Sequence, residues 1–76
     1  MTVFLNKKEL NIEIGLKIRE LRIEKKLSIQ EFSDKLDMEY SNLIRIEKGR
    51  TNPTVSTLYN ICQVLDVKLT DVVDIE

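Results

Sequence analysis

Five polar side chains recur on one side of a short segment near the middle of the chain, and their types match the groups that read base pairs. Residues 40–48 contain Leu43 and Ile46 at helical apolar spacing, so the positions around them should face outward. The outward side chains are Tyr40, Ser41, Asn42, Ile44, Arg45 and Lys48. Hydroxyl, amide and guanidinium groups can hydrogen-bond to base edges in the major groove of DNA. Alternatively, Tyr40 and Arg45 could be ordinary solvated side chains.

Other chemistries lack the residues that they require. The 76 residues include no His and a single Cys, Cys62, which argues against a zinc site and against a nucleophile paired with His. Two glycines, Gly15 and Gly49, cannot make a Gly-rich phosphate-binding loop. Cys62 is better explained as buried filling than as a reactive thiol. We therefore expect no enzyme activity, no metal and no cofactor.

The charges are unevenly distributed along the chain, although the formal net charge is only −1. Residues 17–26 carry five basic side chains against two acidic ones, and residues 40–52 carry three against one. Residues 27–39 and 53–76 each have a balance of −3. A local basic patch matters more for DNA binding than the total charge. On charge alone, a basic patch and scattered solvent charge are equally good explanations.

The composition is that of one ordinary folded domain. Hydrophobic residues make up 42% and charged residues 33%, as in globular proteins, and a chain of this length forms one small core. A single Cys cannot form an internal disulfide, and the apolar runs are too short to span a membrane. Residues 1–5 lack the basic start of a signal peptide. We expect one domain over residues 1–76, in the cytoplasm, without membrane contact.

Helical apolar spacing continues along the chain and predicts five helices. The apolar side of the first helix consists of Leu10, Ile14, Ile18 and Leu21. This helix begins after either Asn6 or Asn11 and ends near Lys26. Gly15 lies inside it and marks either close packing or a tolerated defect that costs about 1 kcal/mol.

The second and third helices are short and lie close together in the sequence. Ser28 is the expected cap of the second helix, which runs to Leu36. Its inner face consists of Ile29, Phe32, Ser33 and Leu36. After a turn at Asp37 and Met38, the third helix runs from about Tyr40 to Lys48, and Gly49 ends it in the left-handed conformation.

The last two helices complete an all-α chain. Thr54 is the expected cap of the fourth helix, which runs from Val55 to Leu65. Its inner face consists of Val55, Leu58, Ile61, Cys62 and Leu65. Thr70 is the expected cap of a short fifth helix from Asp71 to about Asp74. Because no run alternates over the length of a strand, the predicted fold is a compact five-helix bundle.

Residues 28–49 have the layout of a helix-turn-helix. Two helices of about eight and nine residues flank a short turn, an arrangement in which the second helix enters the major groove of DNA. A steep crossing requires a small residue where the helices approach, and Ser33 is the candidate. The polar face of the third helix would then be the surface that meets DNA.

The segment LSIQEFSDKLDMEYSNLIRIEKGRTNPTVSTLYNICQVLDV resembles the Xre/Cro family of phage repressors, restriction-modification controller proteins and antitoxins. The resemblance covers roughly residues 12–73 and is most specific at residues 43–49, followed by residues 52–54 and Leu58. It implies a lambda-repressor-like domain in a prokaryotic or phage-encoded protein. It further implies a sequence-specific regulator of transcription that binds double-stranded DNA, such as a repressor.

The resemblance also implies roles for individual residues. The base-reading positions are Tyr40, Ser41, Asn42 and Arg45. The positions that contact the DNA backbone are Ser28, Gln30, Lys48, Arg50, Thr51 and Asn52. Arg22 and Glu47 match a pair that links the first helix to the recognition helix, and we expect a partly buried ion pair there.

Three positions depart from the family pattern. Ile29 replaces a Gln that usually contacts phosphate, so weaker backbone contacts are expected there. Asp37 replaces a Gly in the turn, although Asp tolerates the left-handed conformation better than most residues. Glu39 replaces a Ser or Thr cap and places a negative charge near the DNA.

The C-terminal part is the candidate for a dimer interface. One recognition helix reads only a few base pairs, so a homodimer on a pseudo-palindromic operator is expected. Residues 66–76 are the predicted dimerisation segment. The expected interface residues are Tyr59, Val67, Leu69, Val72, Val73 and Ile75. In a second hypothesis, favoured by the acidic second helix and acidic tail, the chain is an antitoxin or adaptor of the same fold. Its main partner is then another protein, such as a toxin or another regulator.

Overall fold

Five helices account for most of residues 6–73, the part of the chain that this computed structural model describes. In chain order they are α1 (Lys7–Glu24), α2 (Ile29–Leu36), α3 (Tyr40–Glu47), α4 (Val55–Leu65) and α5 (Leu69–Val72). These residues contain no strand. The prediction of an all-α, five-helix fold is therefore confirmed.

Side-chain caps fix where three of the helices begin. Asn6 accepts a hydrogen bond of 2.8 Å from the main-chain N–H of Glu9, which decides between Asn6 and Asn11 as the start of α1. Ser28 and Glu31 form a reciprocal capping box at α2, with both hydrogen bonds at 3.0 Å. Thr54 caps α4 through the N–H of Thr57. Each cap satisfies an N–H that has no partner within its helix.

Left-handed residues end four of the helices or follow directly on them. Asp37 at the end of α2 has φ 54°, Asp66 at the end of α4 has φ 57°, and Gly49 just beyond α3 has φ 71°. Lys26 has φ 57° and lies two residues beyond the last residue of α1, Glu24, so the helix ends close to the predicted position. These residues turn the chain sharply between helices. Among consecutive helices, α2 packs against α3 and α4 packs against α5.

Two predictions about the last helices are wrong. Val55 was expected on the inner face of α4, but it is 71% exposed, because Leu58, one turn later, is the first residue of α4 to reach the core. Helix α5 begins at Leu69 rather than after Thr70. Its first turn is closed by the main-chain N–H of Lys68, which donates to the Asp71 carboxylate at 2.8 Å.

The core is shared among all five helices. Ile18, Phe32, Leu43 and Ile61, one from each of the first four helices, have no exposed surface, and Val72 of α5 is 4% exposed. Helix α3 packs against both α1 and α2, so its inner side is held while its outer side remains at the surface. Among the described helices, none is long and apolar enough to cross a membrane.

Candidate nucleic-acid interface

The polar face predicted to read bases lies on the outer side of α3. Tyr40, Ser41, Asn42 and Arg45 are all exposed, while Leu43 and Ile46 on the opposite side are 0% and 5% exposed. Ser41 and Arg45 are four residues apart, so they lie one above the other along the helix. Tyr40 and Asn42 lie on either side of this pair, so the exposed part of α3 presents several donors and acceptors.

Ile44 was predicted to lie on this outward face, but it does not. Its side chain is only half-exposed, because it lines a groove between α1 and α3. The apolar part of α3 is therefore wider than the spacing of Leu43 and Ile46 indicates.

The predicted backbone-contacting residues lie in two places, one at and beyond the end of α3 and the other at the start of α2. Lys48, Arg50 and Asn52 are exposed at and beyond the end of α3, with Thr51 half-buried among them. At the start of α2, the Ser28 oxygen accepts from Glu31, so its own hydroxyl hydrogen remains free to donate.

Gln30 has a partner that sequence reasoning missed. Its amide nitrogen donates to Asp34 Oδ1 at 2.9 Å, one turn later on α2. A phosphate would have to compete with this carboxylate for the Gln30 amide.

Arg22 and Glu47 form a two-point ion pair behind the polar face of α3. Arg22 Nε donates to Glu47 Oε2 at 2.7 Å, and Nη2 donates to Oε1 at 3.2 Å. The remaining nitrogen, Nη1, donates to the carbonyl of Leu27 at 2.8 Å. Both residues are buried, at 9% and 6% exposed. One guanidinium therefore joins the end of α1, the link into α2 and the end of α3.

Two glycines let α1 and the end of α3 approach closely. A Cβ on Gly15 would lie 2.5 Å from the carbonyl oxygens of both Ile46 and Glu47. A Cβ on Gly49 would lie 2.5 Å from Cα of Ile12. Gly15 is thus explained by close packing and is not a tolerated defect.

The structure brings basic residues from two separate stretches of sequence together. Arg19 and Arg22 of α1 line the α1–α3 groove with Lys48 and Arg50 from the end of α3. Glu47 is the one acidic residue among the lining residues, and it is paired with Arg22. At this surface the charge forms a basic patch, rather than being scattered.

The C-terminal apolar residues divide into exposed and buried ones. Tyr59 is 56% exposed and Leu69 is 38% exposed. Val72, in contrast, is 4% exposed, and Val67 and Val73 are partly buried against the core. The expectation that Val72 contributes to a dimer surface needs correction, since α5 buries its side chain in the core of its own domain. Ile75 lies outside the described residues.

Cys62 is 2% exposed on the inner side of α4. Burial, followed by the nearby negative charge of Asp71, raises the pKa of its thiol. Its sulfur lies 3.8 Å from the carbonyl oxygen of Lys68. A protonated, enclosed thiol packs as an apolar side chain, as expected from its position.

Two short helices with a left-handed turn, an exposed polar face on the second and a buried ion pair behind it define a helix-turn-helix protein. A family model described as Helix-turn-helix (HTH_3) matches residues 18–72. The chain belongs to this family.

Two curated proteins are similar in sequence. An HTH-type transcriptional regulator of Sinorhizobium fredii, y4dJ, is 37% identical over 60 residues, which cover 79% of this chain and 78% of the relative. The immunity repressor protein of Bacillus phage phi105 is 32% identical over 60 residues. That match includes 79% of this chain but only 42% of the phage protein.

Solved structures show the same fold. The biofilm master regulator SinR, solved in complex with DNA, is 37% identical with a TM-score of 0.69, covering 74% of this chain and 90% of SinR. The restriction-modification controller protein C.AhdI from Aeromonas hydrophila has a TM-score of 0.77 at 23% identity. That match covers 80% of this chain and 92% of C.AhdI. At this identity the second likeness concerns the fold alone.

Proposed function

We propose that this chain is a sequence-specific transcription regulator that places α3 in the major groove of double-stranded DNA. The observation that carries the proposal is the division of α3 into two sides. Its exposed side presents Tyr40, Ser41, Asn42 and Arg45, while its inner side is anchored by the core and by the Arg22–Glu47 pair. The DNA complex of SinR, a 37% identical protein, supports the same role here.

The polar residues have different tasks in this proposal. The four residues of the exposed α3 face read base edges, and Arg45 has the geometry to grip a guanine with two hydrogen bonds. Ser28, Gln30, Lys48, Arg50, Thr51 and Asn52 hold the DNA backbone. Backbone contacts fix the position of the protein without selecting sequence.

The regulator acts as a homodimer on a pseudo-palindromic operator. A domain with one recognition helix reads too few base pairs for a unique address, and two-fold symmetry doubles the site. Tyr59 and Leu69 are the exposed apolar residues that support this interface, and Val55 at the start of α4 adds a third. Residues 66–76, with Ile75, complete the proposed dimerisation segment of a single domain over residues 1–76.

The cellular setting is proposed from the relatives. One belongs to a bacterium and the other to a bacteriophage, which supports a prokaryotic or phage-encoded protein that acts in the cytoplasm. The phage relative is an immunity repressor, and repression is the proposed effect of this chain on transcription.

Selection of bound sequences from a random pool of duplex DNA tests the proposal. A two-fold symmetric consensus is expected, with half-sites about 34–36 Å apart or a multiple of this spacing. Arg45→Ala serves as the matched variant, because it should relax the consensus at one position per half-site. Enrichment of no motif, or an unchanged consensus with Arg45→Ala, would contradict base reading by α3.

A further inference from the structure

The groove between α1 and α3 has an apolar floor. Its volume is about 640 Å³, and its apolar lining consists of Ile12, Leu16, Ile29 and Ile44. Ile12 is 37% exposed and Leu16 is 48% exposed. These side chains lie beside Lys48 and Arg50, which are proposed to contact the DNA backbone, but apolar groups cannot hydrogen-bond to phosphate.

The apolar surface continues along α1 beyond the groove. Ile12, Leu16 and Ile23 follow one another at spacings of four and seven residues, which places them on one side of the helix. Ile23 is 52% exposed. At 1.5 Å per residue the stripe is about 16 Å long, which matches about three turns of a partner helix and exceeds a compact small molecule.

The rim of the groove is cationic. Arg19, Lys48 and Arg50 line it, and within residues 6–73 the Arg22–Glu47 pair is the one salt bridge that forms. DNA phosphates explain the charges of Lys48 and Arg50 but leave the apolar floor unexplained. An amphipathic helix with acidic flanks complements both features. Residues 1–5 of the chain carry no acidic side chain and do not match the rim.

We propose that the α1–α3 groove binds an acidic amphipathic helix of a protein partner, and that this helix and DNA exclude each other. The exclusion rests on the proposed function, since Lys48 and Arg50 would serve both ligands. The partner helix places apolar residues against Ile12, Leu16 and Ile44 and carboxylates against the cationic rim. Such a partner would release the regulator from its operator.

The test uses a display library of 18-residue helices with fixed Leu residues in the 0, 4, 7 and 11 pattern and random residues elsewhere. The full chain is the bait, and no DNA is present. Enriched peptides should carry a net negative charge. Their affinity should fall about tenfold or more with Leu16→Ser, because a buried Leu contact is lost. Asn60→Ser, at an exposed position of α4 outside the proposed dimer interface, should leave peptide binding unchanged.

Competition then links the groove to DNA. The enriched peptide should displace operator DNA from the wild-type chain, whereas Leu16→Ser should keep its DNA affinity and resist displacement. Neutral or basic peptides, equal binding to Leu16→Ser, or sensitivity to Asn60→Ser would overturn the groove proposal. Peptide binding by a chain that binds no DNA would overturn the proposed function instead.

Two other occupants give distinct results in the same experiments. If Leu16→Ser converts a dimer into a monomer in sedimentation equilibrium, the groove binds a second copy, and the partner helix is excluded. If laurate displaces DNA while no peptide is enriched, the ligand is a small anionic amphiphile, and the helix is again excluded.

Discussion

The carbonyl oxygen of Glu47 faces Gly15 so closely that a Cβ on Gly15 would lie 2.5 Å from it. The side chain of the same Glu47 accepts two hydrogen bonds from Arg22, which lies seven residues beyond Gly15 and therefore on the same side of α1. Helix α1 thus contacts both the main chain and the side chain of Glu47 at the end of α3. The orientation of the polar face of α3 is therefore set by residues outside that face.

Gly15→Ala should destabilise the protein even though Ala is the better helix former. Two carbonyl oxygens of the main chain would clash with the new methyl group, and they cannot move aside as a flexible side chain could. We expect a loss of about 1–3 kcal/mol in the free energy of unfolding, the usual range for overpacking. Urea denaturation measures it. Lys17→Ala, at an exposed position of α1, is the control and should change little; a stabilised Gly15→Ala variant would refute the close approach.

Arg22→Met and Glu47→Met should each cost about 3–5 kcal/mol, because each leaves its partner charged and buried. The double variant should be clearly more stable than either single variant, since no charge is then left without a partner. Its DNA affinity should nevertheless remain low, because the apolar pair cannot reproduce the two-point grip that orients α3. Denaturant unfolding and DNA titration of all four proteins provide the measurement. Small, additive losses would indicate that the pair contributes no more than a surface ion pair.

Arg45→Ala and Arg50→Ala should affect DNA binding in different ways. Arg45→Ala should weaken binding to the selected operator by about 1–3 kcal/mol and reduce discrimination between sequences. Arg50→Ala should weaken binding to all sequences and flatten the salt dependence by about one unit. Titrations of operator and random DNA at several salt concentrations distinguish the two. Equal effects of both variants on both DNAs would contradict the division into readers and holders.

Tyr59→Glu should shift the protein from dimer to monomer, because it places a charge in the proposed apolar interface. Sedimentation equilibrium at micromolar concentration measures the shift, and binding to a two-fold operator should weaken in parallel. Asn60→Glu adds the same charge about 100° further round α4 and should leave the dimer intact. A wild-type protein that stays monomeric and yet binds the operator with full affinity would contradict a dimer interface at this surface.

Glu31 should contribute to stability in a pH-dependent way. The main-chain N–H of Ser28 donates to its carboxylate, and this bond, with the Ser28 side chain, lowers the pKa of Glu31. A lowered pKa in the folded state means that the stabilisation is complete above the unfolded-state pKa and is lost as the pH falls through the folded-state pKa. Glu31→Gln should therefore be less stable than wild type at pH 7, with a smaller difference at acidic pH. Glu20→Gln, at an exposed position of α1, is the control. A stability difference between Glu31→Gln and wild type that is the same at all pH values would contradict the capping role.

Local signals in the sequence determined most of the secondary structure. Ser28, Thr54 and Gly49 stand where the helices begin and end, and Asp37 makes the left-handed turn as expected. These features are predictable because a cap or a turn depends on residues within three or four positions of one another. The start of α5 was missed because Lys68, the residue before it, is not a type that indicates a cap. Its main-chain N–H donates to the Asp71 carboxylate and closes the first turn.

Tertiary packing alone decided which apolar side chains are covered. Periodicity identifies the apolar side of a helix but not whether a neighbouring element covers it. Val55 was predicted to be buried and is exposed, whereas Val72 was predicted at a dimer surface and is buried. The same limit hid the α1–α3 groove, whose floor combines residues from three helices. The depth of the Arg22–Glu47 pair and the need for Gly15 likewise follow from how closely α1 approaches α3. That distance depends on the whole core, because every helix must fill space left by the others.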